Sequence, residues 1–500
     1  MTQIDLTRPS QGGDRLEDLL CRYHLNHIAF TFTNRCNLRC VYCPQGSHPD
    51  DFHADTPDQQ INSIINFVLL NKIPIVSIGY YGETTMISGW AAYCERLLNA
   101  GVNLRIVSNF SYPLETDELE ALARFARIEV SIDTVDPAAL KRIRKAADVR
   151  LIVYNTQRLQ AHAALRGLPM PEIVWTGVLC EPAAVEAVNL VAMAKVCGVK
   201  NVHFNDLAYI SGSPGGLLNV IDLPVDSFLN AFAGLEEARI WAARAGVNFD
   251  IPSVERFEAR ALAEAGPEIM RSRFRRLTSV DQVERDRRVI IWGAGQSGKN
   301  LFKILTARGI SIVSFIDSHV TGEVCDCPVT DFQTYLASAH RDDLILVASR
   351  YFSEIEAALL DAALDNYLLA FHFQSPKRNA RAEISTVKVA RQGIQGAFDM
   401  PGDEIEHVPT GLTRLCVSPW TEMYFDPKGE VYSCCQRGAV MGVLEHGGSI
   451  AEIFANERFQ KLRRQLLSGD DLDAECARCS IGGIVEPSEL HAKVRQILGQ

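Results

Sequence analysis

No apolar run in the 500-residue chain approaches the ~20 residues that a membrane-crossing helix needs, so no transmembrane segment is expected. Residues Met1 to Leu19 are polar and mixed in charge, and read as neither signal peptide nor anchor. Excess positive charge is also lacking: 50 Lys and Arg stand against 61 Asp and Glu, a net charge of −11. General nucleic-acid binders show the opposite balance, so neither nucleic acid nor membrane is an expected partner, and a cytoplasmic location is expected. Internal repeats and low-complexity segments are missing. So is a disulfide framework: of 14 cysteines, three sit within 36–43 and five within 416–479, a distribution that suits metal sites. Cys21, Cys94, Cys180 and Cys197 are isolated and read as small core residues.

The apolar fraction of 47% and charged fraction of 22% describe a globular protein. Its length suits two to four domains. After a polar tail and short amphipathic helix (1–26), short apolar runs alternate with helical patterns, the signature of βαβ units and a parallel sheet. Strands are expected at 28–33, 73–80, 103–108, 127–133, 172–179 and 200–206, with helices at 57–71, 88–100, 115–124 and 183–197. Segment 149–166 is read as a helix, since Leu151, Tyr154, Leu159 and His162 continue one face. This predicts an α/β fold, a partial (β/α)6 barrel over 27–255 with loops at the strand C-termini free for chemistry. A charged stretch at 256–284, with Arg271, Arg273, Arg275 and Arg276, reads as a solvated linker, with phosphate binding as the alternative. A Rossmann-like α/β module is expected at 285–375, a second linker at 376–411, and a small Cys-rich α+β domain at 412–490.

Cys36, Cys40 and Cys43 follow the first strand with spacings of four and three, and no fourth cysteine stands close behind. Thiolates are the usual ligands of iron–sulfur clusters, and a four-iron cubane takes four of them. Three would leave one iron open to a small molecule, as in catalytic rather than structural metal sites. Structural zinc is the alternative, with His48 the nearby fourth ligand.

At this spacing, heading a parallel α/β series, Cys36–Cys43 resembles the radical S-adenosylmethionine (SAM) superfamily. The resemblance implies a [4Fe–4S] cluster on the three cysteines, SAM chelated to the open iron, and a 5′-deoxyadenosyl radical released by one-electron reduction. It places Tyr42 against the adenine. Gly82 and Glu83 match a Gly-Gly-Glu turn that engages the SAM amino group, with Tyr81 in place of the first Gly. Ser108 with Asn109, and Ser131 with Asp133, resemble polar strand ends that bind the ribose and carboxylate; alone, Asp133 reads as a helix cap.

The second group comprises Cys416, Cys434, Cys476 and Cys479, with a turn signal at Asp426–Gly429 that would bring Cys416 and Cys434 together in a hairpin. Spacing alone leaves a zinc ribbon and an iron–sulfur cluster equally open. Downstream of the first motif, and with Pro419-Trp420 after its first cysteine, the block resembles the SPASM/twitch extension. That implies one auxiliary [4Fe–4S] cluster on these four thiolates, with Cys435 an alternative to Cys434.

Gly293, Gly295 and Gly298, with Asp317 beyond, fit a dinucleotide fingerprint, so a nucleotide is a possible further cofactor. The alternative is a degenerate module that packs without one; Cys325 and Cys327 inside it read as bystanders. The four-cysteine tail most resembles radical SAM dehydrogenases that oxidise a cyclitol or sugar alcohol. The expected function is therefore oxidation of a carbohydrate-like alcohol, supplied by a low-potential donor such as flavodoxin or ferredoxin. Peptide modification is the close alternative, and a non-catalytic nucleotide-sensing iron–sulfur protein the alternative of another class.

Overall fold

The computed structural model describes residues 19–20, 23–47, 52–207, 217–251, 254–340, 342–370, 408–409, 411–435, 438–445, 447–477, 479 and 483–499. Six strands appear where sequence periodicity placed them: β1 (His27–Phe30), β2 (Ile75–Ile78), β3 (Asn103–Ser108), β4 (Arg127–Ser131), β5 (Glu172–Leu179) and β6 (Asn201–Asp206). All pair in parallel, and β7 (Asn248–Asp250) adds a further parallel edge strand. Helices cover one face. Helix α1 (Asp58–Asn71) buries Ile61, Ile64, Ile65 and Val68, the 3–4 spacing of one helical stripe, and stops at Lys72 in the left-handed region. Val149–Leu165 forms α2, as its helical face implies.

Alternation sorts each strand. Ile28, Phe30, Val76, Ile78, Leu104, Ile106, Ile128, Val130, Trp175, Val202 and Phe204 enter the core under the helices. Their neighbours face the other way, so the opposite, concave face carries Arg105, Arg127, Glu129, Ser131, Thr176 and His203.

The C-terminal block continues this sheet. Strand β14 (Glu422–Phe425) pairs in parallel with β1, in register His27↔Glu422 to Phe30↔Phe425. Antiparallel β15 (Glu430–Tyr432) and β16 (Gly442–Val443) follow, giving the order β16-β15-β14-β1-β2-β3-β4-β5-β6-β7. The expected turn closes the β14–β15 hairpin, where Asp426 Oδ1 accepts the Lys428 and Glu430 amides. An otherwise open edge of β1 is thereby covered.

Between them, where the Rossmann-like module is expected, a second sheet holds six strands: β8 (Val289–Trp292), β9 (Ile312–Ile316), β10 (Gly322–Val324), β11 (Cys327–Thr330), β12 (Leu344–Val347) and β13 (Tyr367–Leu369). Their order is β10-β11-β9-β8-β12-β13, parallel except for β10. A short β10–β11 hairpin closes one side and β13 is the other edge strand.

The solvated linker expected at 256–284 is not what forms. Val254–Ser272 is a helix (α4), broken at Gly266 before Pro267, packed near α3 (Val225–Ala245). Phe274 and Arg276 beyond it are buried. Arg276 pairs with Glu236 and Glu258, each at 2.6 Å, and Arg239 with Glu236 at 3.0 Å and Glu356 at 2.6 Å. Glu356 lies on α5 (Phe352–Asp361) of the inserted module, so this buried ion network joins module to barrel. Most of the second expected linker, Cys21 and His48 lie outside the described residues. Among the described residues, no helix is long and apolar enough to cross a membrane.

Candidate active site

The first thiol group is built by the loop after β1. The Leu38 amide donates to Cys36 Sγ at 3.4 Å, and the Asn109 side chain donates to the same sulfur at 3.8 Å and to Asn37 Oδ1 at 2.8 Å. Cys40 sits in a two-residue antiparallel ladder, Arg39↔Lys145 and Cys40↔Arg144. Burial pushes the Cys36 thiol up to about 12 and Cys40 to about 11, and raises Cys43; neighbouring thiols add to the rise at Cys36 and Cys40. Iron loading there must therefore displace protons.

Gly82 is held at φ 72°, and a Cβ would stand 2.3 Å from the Thr33 carbonyl oxygen, so this position requires Gly. Tyr81, replacing the other Gly, instead lines a cleft with Thr31, Tyr80, Tyr424, Tyr432 and Cys434. Glu83 is buried and clamps two strand ends. Its Oε1 accepts from Ser108 Oγ at 2.8 Å, Thr85 Oγ1 at 2.9 Å and the Thr85 amide at 3.2 Å; Oε2 accepts the Asn109 amide at 2.7 Å. Burial raises its carboxyl despite these donors. Ser108, Asn109 and Glu83 thus form one unit beside Cys36.

Asp133 is engaged by the protein itself. Arg144 grips it through Nε at 2.6 Å and Nη2 at 3.0 Å, and Oδ1 accepts the Val178 amide at 2.7 Å. Tyr42 lies between, its hydroxyl 3.5 Å from Asp133 Oδ2 and its ring 5.4 Å from the Arg144 guanidinium carbon. Sequence reasoning missed Arg144, because the ladder that brings it beside Cys40 is purely tertiary. Ser131 stands apart from this pair, on the concave face, in the cross-strand row Ser131↔Thr176↔His203↔Asp250.

In the second group, burial raises Cys416 to about 11 and Cys476 to about 12, and the thiols of Cys434 and Cys479 add to both shifts. Cys435, raised to about 12 by burial with Cys434 and Cys479 adding, also packs against Ala29, Tyr424 and Tyr432, and Cys434 lines the same tyrosine cleft. Trp420 is fully buried and donates from Nε1 to the Leu19 carbonyl at 2.8 Å, so the Pro-Trp signal anchors this block.

Among the described residues, no three His, Cys, Asp or Glu side chains converge as a single-ion site would require. The donor chemistry still suits clusters: three grouped sulfurs, one receiving N–H donors, and four more within electrostatic range of one another.

In the inserted module, a Cβ on Gly298 would fall 1.8 Å from the Gly293 oxygen, so this glycine lets the helix Gln296–Thr306 pack on β8. Gly295 faces open space. Asp317, expected as part of a dinucleotide fingerprint, accepts three of the chain's own amides, from Ala294 at 2.8 Å, His319 at 2.8 Å and Val320 at 3.0 Å. Those bonds outweigh burial and hold its carboxyl below the usual range.

Comparison with known proteins matches residues 30–178 to the radical SAM superfamily model and 416–480 to SPASM, an iron–sulfur cluster-binding domain. The two imply a SAM-binding [4Fe–4S] cluster, SAM and auxiliary cluster chemistry. A curated relative, GTP 3′,8-cyclase of Peptoclostridium acidaminophilum, is 25% identical over 150 residues, or 27% of this chain; the match spans 43% of that protein. Among solved structures, Streptococcus suis SuiB bound to precursor peptide SuiA aligns at 8% identity and TM-score 0.47, over 89% of this chain and 68% of that one. SuiB bound to S-adenosylmethionine aligns at 9% and 0.44, over 90% and 70%. Native anSMEcpe with bound AdoMet aligns at 14% and 0.35, over 47% and 66%.

Proposed function

For a chain that carries a radical SAM domain and an iron–sulfur-binding SPASM domain, we propose a radical SAM oxidase of a hydroxyl-bearing carbon, with a carbohydrate-like alcohol as substrate. One observation carries the reading. Strand β1, which leads to Cys36, pairs directly with β14, whose hairpin partner β15 leads to Cys434. Cys36 follows the C-terminal end of β1, whereas β15, antiparallel to β14, runs back before Cys434, so the two thiol groups flank the β1–β14 pair from its two ends, and the tyrosine-lined cleft takes its lining from both of these strands and from Cys434.

When bound, the first cluster with SAM supplies a 5′-deoxyadenosyl radical, and the auxiliary cluster supplies an electron acceptor. Cys36, Cys40 and Cys43 would hold the first, and Cys416, Cys434, Cys476 and Cys479 the second. Glu83 Oε2, with one protein donor, keeps capacity for an ammonium group. Tyr42, braced by Arg144, offers an aromatic face to a base. Charged and hydrogen-bonding residues on the concave face suit a polar substrate.

The test is anaerobic reconstitution with SAM and dithionite, presenting myo-inositol, glucosamine and a serine-containing peptide. We expect 5′-deoxyadenosine together with a carbonyl product from a polyol. Absence of 5′-deoxyadenosine sinks the enzyme reading. Peptide modification is the second reading, favoured by the SPASM match because enzymes with that extension often act on peptides; oxidation of the peptide alone would select it.

A further inference from the structure

The concave face carries a basic group that the cluster and SAM machinery leaves unused. His203 on β6 holds Nδ1 2.7 Å from Asp250 Oδ2 on β7, and Nε2 3.0 Å from the Asn205 side-chain oxygen. It stands within β6 in the same cross-strand row as Ser131, which ends β4, and Asp250, which ends β7. Its side chain is 35% exposed, so a ligand can reach it. Thr176, its register neighbour, has a buried hydroxyl without a hydrogen-bond partner among the described residues.

We infer that His203, oriented by Asp250, accepts the proton that the substrate hydroxyl loses during oxidation, an assignment that rests on the alcohol-oxidising reading above. The substrate carbon gives a hydrogen atom to the adenosyl radical, which becomes 5′-deoxyadenosine. The remaining carbon radical bears a hydroxyl. Its O–H bond breaks and the proton goes to Nε2 of the neutral ring, whose new N–H the Asn205 side-chain oxygen then accepts, while one electron would go to an iron–sulfur acceptor and the C–O bond becomes C=O. The substrate has then lost one hydrogen atom, one proton and one electron.

Other groups on this face suit the task less. Glu129 is paired with Arg127 at 2.8 Å, so its carboxylate is already engaged. Burial pushes Tyr80 up to about 12, so it holds its own proton. The charged groups that act on His203 are Asp250 of β7 and Glu129 of β4, beside the neutral Asn205 of β6 and Thr176 of β5. The Asp250 hydrogen bond raises the imidazole above its ordinary value, against a smaller opposing effect of burial, with Asn205 and Glu129 adding to the rise. A base raised in this way takes up a proton readily and acts in its neutral form, so the rate should climb with pH through the raised value.

The test uses the reconstituted full chain with the same three probes, following 5′-deoxyadenosine and carbonyl separately, with iron content and melting temperature as folding controls. His203→Gln should keep 5′-deoxyadenosine formation within about twofold while carbonyl falls by about 100-fold, the usual worth of a positioned acid or base. His203→Ala should regain carbonyl when imidazole is added. Asp250→Asn, the milder change, should move the rising pH limb to lower pH. Full carbonyl yield from His203→Gln, or equal loss of both products with no imidazole rescue, would overturn the assignment, as would an unmoved limb in Asp250→Asn. A wild-type protein that makes 5′-deoxyadenosine but no carbonyl from any probe instead refutes the alcohol reading, and the assignment with it.

Discussion

Asp133 and Arg144 have side chains 0% and 9% exposed, and their two-point contact lies beside Cys40 and Tyr42. Removing one partner of a buried pair strands the other charge, at a cost of about 3–5 kcal/mol. Arg144→Leu should therefore lower stability by that much in thermal or urea unfolding, and Arg144→Lys by less, because it keeps the charge but not the planar fork. Unchanged stability would show that the pair is not formed. The cysteine motif was legible because its ligands are contiguous and thiol chemistry is distinctive. Arg144 was not, since one arginine in a helix-end sequence carries no mark of its partner. Asp133 shows the complementary limit: its position resembles a cofactor-binding strand end, and no local signal told that Arg144 and the Val178 amide engage its carboxylate.

Among the helices, α3 and α4 meet α5 of the inserted module through three carboxylates and two guanidiniums. Tyr367 adds a hydroxyl bond to Glu356 at 2.7 Å. Burial alone would raise the Glu236 carboxyl, but Arg239 and Arg276 overcome it and hold it at about 2. A depressed carboxyl contributes stability that is present above its unfolded value near 4.3 and is lost as pH falls through the folded value. Glu236→Gln should thus cost on the order of 3 kcal/mol at pH 7, and the gap to wild type should narrow below pH ~4. A gap independent of pH in urea titrations would refute this. The basic run at 271–276 looked like a solvated linker because charge runs usually are solvated. Its acidic partners, Glu236 and Glu258, become visible only when α3 and α4 pack.

At the scale of the whole molecule, the direct β1–β14 pairing makes the C-terminal block part of the barrel's own sheet. If the two thiol groups work across one cleft, damage to the second should uncouple the first. Cys476→Ala with Cys479→Ala should lower iron from about eight to about four per chain, abolish the oxidised product and leave some SAM cleavage. Equal loss of both activities would mark the tail as structural. The sequence by itself determined the α/β class, the strand positions and the two thiol groups, because hydrophobic period and cysteine spacing are local properties written along the chain. Only the tertiary structure decided that Cys434 and Cys435 both come beside the tyrosine-lined cleft and within electrostatic range of Cys479, and that Asp317 serves its own loop. It alone aligned His203 with Asp250. Those outcomes depend on which strands pair and in which register, and neither is set by the residues of any one segment.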